Sequence, residues 1–401
     1  MLALGFVCCV LFAFLYFHNQ KPTVDVSKYY ASSVTVSKTT PLYRNVKGEY
    51  QKIGELKKGQ IIALAKKQNM EENYFRLAMD DCYILADHVT PTNSKKETQR
   101  ELPYLPFNES LTTKHGYSIK DDDGQTTAVL DEEHTYPIYY KDTDTYGIML
   151  HKQLYFIDKR DVVSIQKAEN TKEETSTSIP VFMYHYFYSN AKGETPANGN
   201  WLEVKDFEEQ LQYLKENNYK TLYMEDVERF LDKKVVLPKN SVSITIDDGS
   251  KSVYKYGYPL LKKYDMNATL FLITDKYKND KLPDTFEEMR DNGMELQSHS
   301  YGMHTGGCEG GHGGALRCVA HDEGVADTKK SFDILGGGFV YCYPYGDVTD
   351  SALQIMKDSG VRMAFTTNYG KIEPGMDKLQ LPRVRIFGDA GIQQFIYGIV
   401  N

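Results

Sequence analysis

Two adjacent carboxylates and a pair of histidines are the residues of this sequence whose types and spacing could do chemistry. The β-branched run 241–246 ends in Asp247 and Asp248, and His299 and His304 follow about fifty residues later. One carboxylate with two histidines is a common ligand set for a catalytic metal that keeps an open position for water. The second carboxylate then remains available as a base.

A solvated turn and ordinary loop histidines are the alternative interpretation of these groups. Both groups follow apolar runs and both lie beside glycine, which favours a chemical site. Successive side chains on a strand point to opposite faces. Asp247 and Asp248 can therefore converge only if the strand has already ended, as Gly249 would allow.

The elements that must position these groups begin at Ile179. From there, apolar strand-like runs alternate with amphipathic helical stretches such as the one holding Phe207, Leu211 and Leu214. The strand-like runs cover residues 180–184, 241–246, 269–273, 294–297, 339–343 and 362–366. Repeated β-then-α units predict an α/β fold with a parallel sheet, and the length suits a distorted (β/α) barrel over residues 179–401.

Further polar residues lie just after predicted strands. His185 follows the run 180–184, and Pro344 and Tyr345 follow the run 339–343. In a (β/α) barrel all strand exits share one face, where active sites are found. We therefore expect these residues to lie near the acids and the histidines.

On the basis of these motifs, residues 179–401 resemble the polysaccharide deacetylase domain of carbohydrate esterase family 4. The Thr-Ile-Asp-Asp-Gly run at 245–249 matches the first motif of the family almost letter for letter. The family histidines are usually four apart, whereas His299 and His304 are five apart. On a helix that spacing would separate them by roughly 140°, so a loop opened by Gly302 must bring them together.

The longer histidine spacing also occurs in the exported poly-N-acetylglucosamine deacetylases. In that branch the catalytic histidine motif moves to the start of the domain, where the run 180–185 fits it. The resemblance implies that Asp248, His299 and His304 bind a divalent metal, with zinc expected. It implies that Asp247 is the general base and His185 the general acid.

The third motif carries one departure from the family. Tyr345, after Pro344, resembles the residue whose backbone N–H completes the oxyanion hole. The arginine that normally opens this motif is replaced by Phe339. Arg383 or Arg385 could hold the base carboxylate instead, and a structural surface pair is the alternative.

The implied activity is hydrolysis of N-acetyl groups on N-acetylglucosamine units of a cell-wall or surface polysaccharide, with release of acetate. Peptidoglycan is the favoured substrate, and poly-N-acetylglucosamine is the alternative. A non-catalytic wall-binding protein and a non-haem iron enzyme are the other readings. The carboxylate beyond the ligand set argues against the iron enzyme, which has no need of an extra base.

The part before residue 179 has a different composition. Residues 30–97 carry short alternating runs separated by turns, which predict a small all-β domain resembling bacterial SH3-like modules. A looser second copy is expected at 98–165, followed by a polar linker at 166–178. The net charge of −8 argues against a nucleic-acid partner.

Residues 1–20 are predicted to be a membrane anchor or signal. Positions 1–17 are wholly apolar, and no small-residue cleavage site follows them. An uncleaved anchor would place the chain at the extracytoplasmic face of a bacterial cell membrane, and a cleaved one would release it.

Two cysteines bracket the glycine-rich stretch after the histidines. Cys308 and Cys318 lie ten residues apart, and a disulfide between them is permitted outside the cell. Metal binding by Cys308 and a pair of unlinked thiols are the competing interpretations.

Overall fold

The computed structural model describes most of the chain, and contacts divide it into two compact units. The described residues are 33–64, 73–77, 82–92, 102–120, 126–130, 132, 134–150, 153–168, 174–389 and 391–400. The first unit comprises residues 1–102 and 106–170, and the second residues 103–105 and 171–401. The predicted anchor at 1–20 lies outside the described residues, and none of the helices that the structure does describe is long and apolar enough to cross a membrane.

The first unit is built from antiparallel strands. They are β1 (Ser33–Val36), β2 (Thr40–Val46), β3 (Glu49–Leu56), β4 (Ile61–Ala63), β5 (Tyr74–Arg76), β6 (Cys82–Leu85), β7 (Val89–Thr92), β8 (Glu109–Thr113), β9 (Tyr117–Lys120), β10 (Thr126–Leu130), β11 (Tyr136–Lys141), β12 (Thr145–Leu150), β13 (Gln153–Asp158) and β14 (Val162–Lys167). On β11 the alternate residues Tyr136, Ile138 and Tyr140 are buried, as expected of a strand with one face on a core.

The strands of the first unit form sheets of three, six and five strands. In the six-stranded sheet, β10 pairs with β3. The segments 30–97 and 98–165 therefore share a sheet within one unit. Their resemblance to SH3-like modules stays a prediction.

The second unit alternates parallel strands with helices. Its strands are β15 (Val181–Tyr184), β16 (Tyr186–Tyr188), β17 (Trp201–Glu203), β18 (Lys220–Thr221), β19 (Ser241–Ile246), β20 (Thr269–Leu272), β21 (Glu295–Ser298), β22 (Val340–Cys342), β23 (Met363–Tyr369) and β24 (Leu381–Arg385). Its helices are α1 (Val204–Glu216), α2 (Met224–Leu231), α3 (Tyr258–Tyr264), α4 (Asp284–Asp291), α5 (His321–Leu335), α6 (Asp350–Asp358) and α7 (Ile392–Val400).

Seven of these strands close into a barrel, in the order β15-β24-β23-β22-β21-β20-β19. The closing pair is β15 with β19, in which Val181 to Tyr184 pair in parallel with Ser243 to Ile246. Strand β18 pairs with Ser241 and Val242, before β15 begins to pair. The predicted (β/α) barrel is confirmed, with seven strands in the ring.

Strand β19 is buried along its whole length, although serine or threonine alternates with its apolar residues. All six of its residues are buried, because a parallel strand in a barrel is covered on both faces. Phe207, Leu211 and Leu214 on α1 are likewise buried and belong to the core cluster that also contains Ile244 and Phe395. The apolar residues that recur at helical spacing in the sequence thus form the face of α1 that packs on the barrel.

Strand β24 was not among the predicted strands, although it completes the ring between β15 and β23. Its sequence holds Pro382, Arg383 and Arg385, which interrupt the apolar pattern by which the other strands were found. This strand carries Arg383, whose guanidinium contacts Asp247.

Candidate active site

The two carboxylates converge because the chain turns sharply where β19 ends. Asp247 still continues the pairing, donating its N–H to Tyr184 O at 2.9 Å. Asp248 and Gly249 then adopt left-handed φ values of 71° and 65°. A side chain at Gly249 would also place its Cβ 2.7 Å from Leu272, so both conformation and space require glycine there.

Asp247 is buried in the barrel against Arg383 from β24. The guanidinium donates from Nη1 to Oδ1 and from Nη2 to Oδ2, each at 2.8 Å. Arg383 Nη1 also donates to Thr245 Oγ1 at 3.0 Å, and Nε donates to Thr366 O at 3.1 Å. Each partner of the pair is 1% exposed.

This pairing decides the charge state of Asp247. Burial alone would raise the pKa of the carboxyl, but the charge and hydrogen bonds of Arg383 hold it well below its usual range. Asp247 is therefore an ionised carboxylate at neutral pH, as a proton acceptor must be.

Asp248, His299 and His304 form a cluster with the geometry of a metal site. Asp248 Oδ1 lies 3.5 Å from His299 Nε2 and 3.3 Å from His304 Nε2, and one ligand atom from each residue lies within 4.8 Å of the others. Among the described residues, none donates a hydrogen bond to the buried Oδ1. An unbonded carboxylate oxygen facing two imidazole nitrogens fits a divalent cation.

Both histidines are prepared to act as ligands. His299 Nδ1 lies 2.7 Å from Cys342 O. Because a carbonyl only accepts, Nδ1 carries the proton and Nε2 is left for a metal. Burial, followed by the charge of His299, lowers the pKa of His304 to about 4, so this ring is neutral at pH 7.

A loop held by hydrogen bonds brings His299 and His304 together despite their five-residue spacing. Their ring centroids are 4.7 Å apart. The left-handed turn falls at Ser300, with φ 75°, and not at Gly302 as the sequence suggested. Asp327 on α5 then accepts the N–H groups of Tyr301 at 2.9 Å and Gly302 at 2.6 Å.

A second group of ligand types, Asp247, His299 and Cys342, also lies within 4.8 Å. Arg383 Nη2 is 2.8 Å from Asp247 Oδ2 and 3.0 Å from Cys342 Sγ. Burial raises the pKa of the Cys342 thiol well above its usual range, whereas a metal needs the thiolate. A guanidinium bonded to two of the three groups therefore disfavours a cation there.

His185 and Tyr345 border the acids and the histidines. His185 Nε2 lies 3.9 Å from Asp247 Oδ2. Burial lowers the pKa of His185, against the opposing charge of Asp247. Tyr345 follows Pro344 in a tight turn with φ 61°, and its ring packs on His304 with centroids 4.7 Å apart.

Only one of the two candidate arginines contacts the base carboxylate. Arg383 does so, whereas Arg385 Nη2 donates to Asn200 Oδ1 at 2.6 Å. The structure brings together Asp247, Asp248, His185, His299, His304, Tyr345 and Arg383.

The glycine-rich stretch beyond the histidines is closed by a disulfide. Cys308 and Cys318 are joined, with Cα atoms 5.8 Å apart. Asp347 accepts the N–H groups of His312 and Gly314, both at 2.9 Å. The loop is therefore anchored three residues after Pro344, next to the turn that carries Tyr345.

Sequence reasoning missed three residues of the site. Tyr186 donates its hydroxyl to Asp248 Oδ2, Asp327 holds the histidine loop, and Cys342 provides the carbonyl for His299. Tyr186 directly follows His185, and this adjacency was the only local signal. All three contacts join distant parts of the chain.

At the strand exits of a closed barrel, an ionised aspartate paired with an arginine lies beside two histidines. This arrangement is typical of a hydrolase active site. Residues 234–364 match the family described as Polysaccharide deacetylase. The chain therefore contains a polysaccharide deacetylase domain and is an enzyme.

Curated relatives cover the same region. A protein of Bacillus subtilis (strain 168) named YxkH, a candidate polysaccharide deacetylase, is 29% identical over 240 residues, which cover 57% of this chain and 80% of that protein. The poly-beta-1,6-N-acetyl-D-glucosamine N-deacetylase of Staphylococcus epidermidis is 28% identical over 217 residues, covering 51% of this chain and 74% of that protein. The solved deacetylase PplD of Streptococcus pyogenes is 27% identical, with a TM-score of 0.49, covering 57% of this chain and all of that one.

The metal assignment predicts a loss of metal content in ligand variants. His299→Ala and His304→Ala should each lower the zinc bound per purified chain, because each removes one of three ligands. His321→Ala is the matched control, since that exposed histidine of α5 pairs with Asp358 of α6, 2.9 Å away. Elemental analysis measures the content, and unchanged zinc in both ligand variants would refute the assignment.

The buried pair predicts a coupled change in stability and pH dependence. Arg383→Met removes the charge that holds the pKa of Asp247 down, so burial then raises that pKa. The acid limb of the pH–rate profile should move to higher pH. The free energy of unfolding should fall by about 3–5 kcal/mol, because a buried charge loses its partner.

Two variants control this experiment. The double variant Arg383→Met/Asp247→Asn removes both charges and should recover part of the lost stability. Lys239→Met breaks an exposed pair with Glu174 and should change stability by less than about 1 kcal/mol. A double variant no more stable than Arg383→Met alone would show that the unpaired charge is not the cause.

Proposed function

We propose that this enzyme removes N-acetyl groups from N-acetylglucosamine units of a bacterial surface polysaccharide, releasing acetate, with a divalent metal held by Asp248, His299 and His304. The observation that carries the proposal is the buried Asp248 Oδ1, which faces both imidazole Nε2 atoms and has no hydrogen-bond donor within the described part of the chain. Zinc suits one carboxylate oxygen and two imidazole nitrogens. Such an ion polarises a carbonyl and lowers the pKa of a water from about 15.7 to about 7.

The protein's own groups account for the proton movements. Asp247 is ionised and accepts the proton of the attacking water. Arg383 fixes the orientation of this carboxylate through two hydrogen bonds of 2.8 Å. The same bonds make Asp247 a weaker base, because they lower its pKa. They also keep the buried carboxylate ionised.

His185 is proposed to protonate the leaving sugar amine, which departs poorly as an anion. Its Nε2 lies 3.9 Å from Asp247 Oδ2, so the carboxylate stabilises the ring whenever it carries a proton. The N–H of Tyr345 is proposed to complete the oxyanion hole, a donor typically worth about 2.7–4 kcal/mol.

For the polymer, we propose poly-β-1,6-N-acetylglucosamine. Staphylococcal relatives at 27–28% identity bear that activity in their names, and the five-residue histidine spacing points to the same branch. Peptidoglycan is the second candidate, favoured by the SH3-like sequence pattern of residues 30–97.

We also propose that the enzyme works at the extracytoplasmic face of a bacterial membrane, anchored by residues 1–20 or secreted after their cleavage. The Cys308–Cys318 disulfide supports this location, because such bonds persist in oxidising compartments.

Acetate release from purified polymers tests the function. We expect release from poly-β-1,6-N-acetylglucosamine, its loss after treatment with a chelator, and its return with zinc. Release from peptidoglycan alone would select the second candidate. The Asp247→Asn variant should retain metal and release no acetate, which controls for contaminating activity. No release from either polymer by zinc-loaded wild-type enzyme would contradict the proposal.

The acid role of His185 makes a separate prediction. His185→Ala should lower turnover by about 10²–10⁴ while the metal content stays unchanged, and the basic limb of the pH–rate profile should disappear. His312→Ala, at a histidine whose side chain is 66% exposed, is the control. Near-normal turnover of His185→Ala would mean that another group protonates the amine.

A further inference from the structure

An aromatic pair adjoins the proposed metal carboxylate. Tyr186 donates its hydroxyl to Asp248 Oδ2, and its strand β16 runs parallel to β17, with Tyr186 opposite Trp201. The two rings stack with centroids 5.0 Å apart and planes 26° from parallel. The indole of Trp201 therefore stacks on the ring whose hydroxyl bonds Asp248, the proposed metal ligand.

This pair is not part of the hydrophobic core. Tyr186 and Trp201 are both partly exposed, whereas Leu202, next along β17, is 3% exposed and Phe187, next along β16, is 1% exposed. Partly exposed aromatic rings beside a catalytic centre offer apolar area to a ligand.

Polar groups stand beside the aromatic pair. Arg385 follows Arg383 by two residues on β24, so both point to the same side of the strand. Arg385 Nη2 donates to Asn200, the residue before Trp201. Its Nε is buried, and no acceptor for it lies among the described residues. An unused guanidinium donor at this position is available to a ligand oxygen.

A third aromatic ring extends the surface. Phe387 is 39% exposed, and the Arg385 guanidinium lies over its ring at 5.0 Å from the centroid. Gly388 N–H donates to Gly199 O at 2.9 Å, which fastens this segment to the loop that precedes Trp201.

We propose that Tyr186, Trp201 and Phe387, with Arg385 and Asn200, form a sugar-binding subsite for a neighbouring unit of the N-acetylglucosamine polymer. The aromatic rings would pack against the apolar C–H face of a pyranose, while Arg385 and Asn200 bond its hydroxyl or acetamido oxygens. This subsite rests on the proposed function and adds to it the residues that select a polymer over a single acetylated amine.

The chain contains one tryptophan, so its fluorescence reports on the surroundings of Trp201. In zinc-loaded Asp247→Asn enzyme, which binds without turnover, a pentamer of β-1,6-linked N-acetylglucosamine should change the emission saturably. The β-1,4-linked pentamer tests the linkage, and a β-1,6-linked glucose oligomer, which lacks acetamido groups, should bind more weakly. Calorimetry measures the binding of each oligomer independently.

Kinetics on the polymer give the second readout. Trp201→Ala should raise KM about three- to tenfold and change kcat less, while zinc content stays the same. Trp201→Phe, which keeps a ring, should recover part of the loss. Phe387→Ala, at an exposed position, should also raise KM without endangering the fold. Tyr397→Ala on α7, 58% exposed, is the matched control and should leave KM unchanged.

Several results would overturn the subsite. They are no pentamer binding to Asp247→Asn enzyme, binding seen by calorimetry without any change in emission, or wild-type KM values in folded, zinc-loaded Trp201→Ala and Phe387→Ala variants. Wild-type enzyme that releases acetate while these variants keep a normal KM would remove the subsite and leave the proposed function standing. Absence of acetate release by the wild type would remove the function itself.

Discussion

The buried pair of Asp247 and Arg383 is the interaction on which the rest of the site depends. Either charge alone in the barrel interior would cost several kcal/mol, because an isolated ion there has lost its hydration. The pair joins the exit of β19 to β24, the two strands on either side of β15, where the barrel closes. Since the pKa of Asp247 is lower in the folded chain than in the unfolded one, the pair stabilises the fold above the unfolded pKa and loses its effect as pH falls through the folded value.

Backbone strain is concentrated at the same strand exits. Asp248, Ser300 and Tyr345 all have positive φ values, and such positions cost of order 1–3 kcal/mol each unless the surroundings enforce them. Around Ser300 the enforcing group is Asp327, which accepts two backbone N–H groups. At Tyr345 it is the adjacent glycine-rich loop, fastened by Asp347 and the disulfide. These strained backbone conformations allow side chains from several strand exits to converge on one site.

The sequence predicted the parts of this architecture that have a local pattern. The run before Asp247 could be recognised as a strand because four of its six residues are valine, isoleucine or threonine, which are enriched in strands. Strand β24 was missed because Arg383 is 1% exposed, the reverse of what its residue type suggests. The pairing of Tyr186 with Asp248 could not be foreseen, because it joins residues 62 positions apart and leaves no periodic trace. Long-range polar contacts are the class of feature that pattern reasoning cannot supply.

Two carboxylates adjacent in sequence acquire different tasks from their partners alone. Arg383 engages both oxygens of Asp247, so this carboxylate is already paired with a cation and does not attract another. Tyr186 is a neutral donor that engages only Oδ2 of Asp248. Among the described residues no donor bonds Oδ1, which is buried and faces two imidazoles. The second carboxylate therefore still needs a positive charge, and the first can still take a proton. Different surroundings give two chemically identical carboxylates different roles. Here Arg383 makes Asp247 the base, and Tyr186 leaves Asp248 available as a ligand.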